Sequence, residues 1–107
     1  MRALILHELG EPEDLRLEEV PSPVPGPGEI LVDVHAAAVN FPDLLTVQGK
    51  YQLRPDLPFS PGKEGAGVVA ALGAGVTRFK PGDRVMIQVD YGSFAEQAIA
   101  PEHECYL

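Results

Sequence analysis

Ser60-Pro61-Gly62-Lys63-Glu64-Gly65-Ala66-Gly67-Val68-Val69-Ala70 carries two competing readings, and choosing between them decides the fold. Gly65 to Ala70 matches the dinucleotide-binding pattern G-x-G-x-x-A, and Asp90 follows at about the twenty-residue distance where that motif places an acid for the ribose. The motif works only between a strand and a helix, because the helix N-terminus must face the pyrophosphate. Upstream, Pro58-Phe59-Ser60-Pro61-Gly62 cannot be that strand. Downstream, Val68-Val69 favours a strand, and Gly73-Ala74-Gly75 cuts the segment off before a helix could grow. The glycines are therefore expected inside a strand, where two backbones approach closely.

The rest of the chain is consistent with many short strands. Eleven glycines and eleven prolines divide it into brief segments. Residues 2–6 and 15–20 read as an opening pair of strands. Pro21-Ser22-Pro23-Val24-Pro25-Gly26-Pro27-Gly28 reads as an extended surface loop, in preference to a polyproline-type ligand, which normally lies outside a folded domain. Residues 30–39 form the longest expected strand, with Val32, Val34 and Ala36 on one face and Asp33 and His35 on the other. Asn40 then caps the single convincing helix. Asp43 completes a capping-box-like pair, Pro42 is tolerated in the first turn, Leu44, Leu45 and Val47 give an apolar side, and Gly49 ends it. Residues 51–63, with Pro55, Pro58 and Pro61, read as an irregular loop. Residues 67–72, 84–89 and 94–100 read as strands, with Lys80-Pro81-Gly82-Asp83 as a tight turn. The expected fold is mainly β: a small, partly open barrel with one or two short helices.

Composition narrows the partners. Sixteen acidic against eight basic side chains, a net charge of −8, disfavour both nucleic acid and anionic membranes. Cys105 is the single cysteine, so no internal disulfide forms, and Glu102 and Glu104 beside it oppose a reactive thiolate. His7, His35 and His103 have no partners at metal-ligand spacing. The N-terminal apolar run is too short for a signal peptide, and no run is long enough to span a bilayer, so the expected location is the cytoplasm.

A series of landmarks in register supports a closer assignment. These are Gly28-Glu29-Ile30-Leu31-Val32, Val39-Asn40-Phe41-Pro42-Asp43, Pro61 to Val69, Leu72-Gly73-Ala74-Gly75-Val76, Phe79 to Val85 and Gly92-Ser93-Phe94-Ala95-Glu96. Together they resemble the medium-chain dehydrogenase/reductase superfamily, and within it the zinc-free quinone oxidoreductases related to zeta-crystallin. The zinc enzymes have a ligand His where this chain has Lys63, and a ligand Cys where it has Asn40. A protonated lysine has no lone pair to offer a metal, and an amide is a poor exchange for a thiolate. The cysteine-rich lobe for a second zinc is also missing between residues 85 and 95.

The resemblance implies a GroES-like catalytic barrel over residues 1–107, NADP(H) as cofactor and no zinc. The pyrophosphate site would lie in a Rossmann domain that is absent from this chain, so the chain reads as the N-terminal domain of a longer enzyme, expected to be a homodimer. Without a Lewis acid, the substrate should be a small molecule that accepts hydride readily: a quinone or a conjugated enone. Asn40 is the first candidate for catalysis and for contact with the cofactor. Asp43 is a candidate proton relay that the cap alone would also explain, and a Tyr common in the family two residues later is here Leu45. Lys63 is a candidate for a phosphate or ribose oxygen, or else a plain surface lysine. Glu64 stands behind the metal in the zinc enzymes and has an open role here. Tyr51 and Tyr91 are candidate walls of the substrate cleft. Two alternatives remain open at this stage: an enoyl-thioester reductase of the same superfamily, and a non-enzymatic co-chaperonin barrel.

Overall fold

Strand β5 (Arg84–Gln88) shows the pattern that builds the domain: Val85 and Ile87 are buried, while Arg84, Met86 and Gln88 face outward. A computed structural model of residues 1–107 places it in a five-stranded antiparallel sheet. The others are β3 (Glu29–Ala37), β4 (Glu64–Leu72), β6 (Gln97–Pro101) and β7 (Cys105–Tyr106), in the order β6-β3-β4-β5-β7. The sheet curls around a core of Ile30, Val32, Val69, Phe79, Val85, Ile87, Ala98 and Ala100, with Cys105 at its margin. Burial pushes the Cys105 thiol up to about 11, so it stays protonated and behaves as a small apolar side chain.

A second sheet pairs β1 (Arg2–Ile5) with β2 (Arg16–Glu19), and a 3₁₀ turn at Pro12–Asp14 lies between them. Leu4 N–H donates to the Phe94 carbonyl at 2.9 Å and Leu6 N–H to the Phe59 carbonyl at 2.8 Å, which fastens this ribbon to the segments that precede β6 and β4. Glu96 reinforces the junction: Arg2 N–H donates to its carboxylate at 2.6 Å, and with the Arg2 guanidinium it holds that carboxyl below its usual range. Leu6, Phe59 and Val47 of helix α1 (Phe41–Gln48) form a smaller cluster that seats the helix. The result is the expected mainly β, half-closed barrel.

Several boundaries differ from the sequence reading. β4 begins at Glu64 rather than at residue 67, and β6 at Gln97 rather than at 94, because Ala95 instead bridges to Ala3. β7 and the 3₁₀ turn at Glu102–Glu104 were not anticipated. A bulge between Val34 and Ala36 breaks the alternation of β3, so Ala36 is exposed instead of sharing the buried face of Val32. Gly67 faces Val34 in register, and a Cβ there would overlap the Asp33 carbonyl oxygen and lie 3.0 Å from Val34 Cα. Close packing of β3 on β4 thus accounts for the second glycine of the pattern.

Candidate active site

The helix that carries the first candidate is set by its ends. Asn40 has extended N-cap geometry, φ −123° and ψ 162°, and Asp43 Oδ2 accepts from Asn40 N–H at 2.7 Å. The Asn40 side chain faces the Asp43 N–H without a well-aligned hydrogen bond, since that N–H donates to the Asn40 carbonyl at 3.0 Å. At the other end Gly49 is left-handed at φ 74°, a conformation that costs glycine nothing. Asp43 is buried beneath the helix start, and its Oδ1 has no hydrogen-bond partner.

The Asn40 amide is held from a second direction. Nδ2 donates to Glu64 Oε1 at 3.1 Å, across from the first residue of β4. Ala38 N–H donates to the Glu64 carbonyl at 3.3 Å, so the end of β3 and the start of β4 bring the two side chains together. Asn40, Asp43 and Glu64 therefore form one group. The sequence assigns Glu64 no role, because a contact between residues this far apart leaves no local signal.

Lys63 points elsewhere. Its Nζ donates to the Asp90 carbonyl at 2.9 Å and lies 4.5 Å from the centroid of the Tyr51 ring. Tyr51, Lys63 and Asp90 thus form a second group, which ties the loop after α1 to the turn after β5. Tyr91 packs edge-on against Phe59 at 5.9 Å between ring centroids and lines a cleft of about 720 Å³ with Phe59 and Asp90. Tyr51 does not line that cleft.

A separate cleft of about 530 Å³ opens over the outer face of the sheet. Its floor is a single cross-strand row in which Ala36 faces Ala66, Ala66 faces Met86 and Met86 faces Tyr106. Glu64 and Gln88, themselves paired in register, form its polar end. Glu64 is therefore the residue that connects this apolar cleft to Asn40.

These residues do not suit a zinc ion. The Lys63 ammonium donates to the Asp90 carbonyl and lies as a cation over the Tyr51 ring, Asn40 presents an amide nitrogen to Glu64, and no three His, Cys, Asp or Glu side chains cluster as a ligand set.

A curled antiparallel half-barrel with one capped helix is the architecture of a GroES-like domain. Residues 26–107 match the family described as the alcohol dehydrogenase GroES-like domain, and the chain belongs to that family. It is 46% identical over 102 residues to quinone oxidoreductase-like protein 2 of Rattus norvegicus, covering 94% of this chain and 28% of the relative. It is 41% identical over 109 residues to the synaptic vesicle membrane protein VAT-1 homolog of Rattus norvegicus, covering 100% of this chain and 27% of the relative. Among solved structures, Escherichia coli quinone oxidoreductase complexed with NADPH superposes with a TM-score of 0.94 at 31% identity, covering 100% of this chain and 33% of that one. The chain thus spans about a third or less of the length of these three proteins. No helix in it is long and apolar enough to cross a membrane.

Proposed function

We propose that this chain is the catalytic barrel of an NADPH-dependent, zinc-independent reductase that delivers hydride to a quinone or a conjugated enone. The observation that carries the reading is the paired exchange at the two zinc-ligand positions, with an amide at Asn40 and an ammonium already engaged at Lys63. Relatives and structural neighbours named as quinone oxidoreductases support it, one of them complexed with NADPH. The bound nucleotide supplies the hydride. Asn40 has one Nδ2 hydrogen in the bond to Glu64 and a second with no protein acceptor. That free hydrogen is the donor available to an acceptor oxygen, or to the nicotinamide and its ribose. Asp43 holds the start of α1 beneath it, and Lys63 braces the wall that Tyr51 and Asp90 share.

In this reading the pyrophosphate is gripped by a nucleotide-binding domain outside residues 1–107, because the only glycine pattern of that type here lies within β4. The assay that tests the function is NADPH oxidation by the full-length protein with quinones, enones and enoyl thioesters as acceptors. Turnover with quinones or enones supports the reading, and turnover confined to enoyl thioesters overturns it.

Two further results are expected. Untagged protein retains no stoichiometric zinc against a weak chelator, as measured by elemental analysis; tight zinc would overturn the reading of Asn40 and Lys63. The 107-residue chain alone binds NADPH weakly or not at all. Calorimetry showing micromolar affinity would place a pyrophosphate site within this barrel after all.

A further inference from the structure

Glu64 has only one side-chain partner. It makes no salt bridge, the neighbouring Lys63 ammonium is directed to Asp90 and Tyr51, and its single side-chain hydrogen bond is the one from Asn40 Nδ2 at 3.1 Å. A carboxylate left without a cation and pinned to an amide costs more to hold there than a free surface carboxylate. We propose that Glu64 is a positioning residue that fixes which way the Asn40 amide faces. An ionised carboxylate only accepts, so it selects the nitrogen end of the amide and excludes the flipped arrangement. With Nδ2 pinned, its second hydrogen is held in one direction and Oδ1 is turned towards the start of α1. Without Glu64 the amide can rotate and present its oxygen where an acceptor oxygen should sit, which would repel it.

The inference rests on the reductase reading but is testable apart from it. In the full-length protein labelled with ¹⁵N, the Asn40 side-chain amide protons should differ strongly from ordinary exposed amides. Glu64→Ala should collapse that difference, and Glu64→Gln should restore part of it through the Gln carbonyl. In turnover with a quinone, Glu64→Ala should lower kcat roughly tenfold, as loss of a residue that orients a site ligand commonly does, with KM for the acceptor within about twofold. Glu64→Gln should recover most of the loss. An Asn40 signal that is the same in parent and Glu64→Ala overturns the inference whatever the activity. A changed signal with undiminished kcat overturns the positioning role. If the parent shows no turnover with any acceptor, the reductase reading falls, and the amide signal alone then decides whether Glu64 orients Asn40.

Discussion

Asn40→Ser is expected to slow quinone reduction by the full-length protein about a hundredfold, the effect of removing one donor worth about 3 kcal/mol to a developing oxyanion. Serine is the informative replacement because it remains a good N-cap while losing the amide. Helix α1 should therefore persist, and the melting temperature should stay close to that of the parent. Asn40→Ala removes the amide and the capping side chain together; because that side chain makes no well-aligned cap hydrogen bond, it should add only about 0.5 kcal/mol of destabilisation, the low end for a lost cap, to the same kinetic loss. Asn40→Asp is a poor test, because it would set a second carboxylate against Glu64, which now lies 3.1 Å from Asn40 Nδ2. If Asn40→Ser keeps the parent's turnover and nucleotide affinity, the residue is a cap and nothing more.

Gly67→Ala is expected to be among the most damaging single-methyl changes in the barrel, alongside Gly73→Ala, where the added Cβ would overlap the Gly26 carbonyl oxygen. At Gly67 the added Cβ would overlap the Asp33 carbonyl, a backbone atom fixed in the adjoining strand, so it can be relieved only by separating β3 from β4. Overpacking typically costs about 1–3 kcal/mol, and a clash with fixed backbone belongs at the upper end. Gly75→Ala is the control: it has open space around it but a left-handed backbone at φ 83°, and should cost only about 1 kcal/mol of strain. Urea midpoints of the two variants make the comparison. A neutral Gly67→Ala that instead weakened NADPH binding would restore the phosphate-loop reading of Gly65 to Ala70.

The features legible in the sequence are those determined locally. Helix α1 was readable from Asn40, Asp43 and Gly49 because its caps lie within one short segment. The same holds for the turn at Lys80 to Asp83, where Asp83 N–H donates to the Lys80 carbonyl at 3.1 Å. β7 was not readable, since two residues carry no periodicity and their pairing with Met86 and Ile87 is long-range. The bulge in β3 was hidden because Val32, Val34 and Ala36 are all apolar, so their pattern does not register the change of face. The expected cap pairs Asn40 with Asp43, and Lys63 lies against Tyr51, a contact with no signal in the sequence. The Glu64 contact depends on how β3 and β4 end side by side, which no single segment encodes.

The cross-strand row from Ala36 to Tyr106 also has a consequence for handling the chain. Met86 is 59% exposed, and Val39, Phe41 and Leu107 are more so, while the molecule carries a net charge of −8. Mutual repulsion keeps such molecules apart only over the screening length, about 10 Å in 0.1 M salt and 30 Å in 0.01 M. Solutions of the 107-residue chain should therefore stay monodisperse in dilute buffer and cluster as salt is raised, the reverse of ordinary salting-in. Crystallisation and titration of this polypeptide are best begun at low ionic strength.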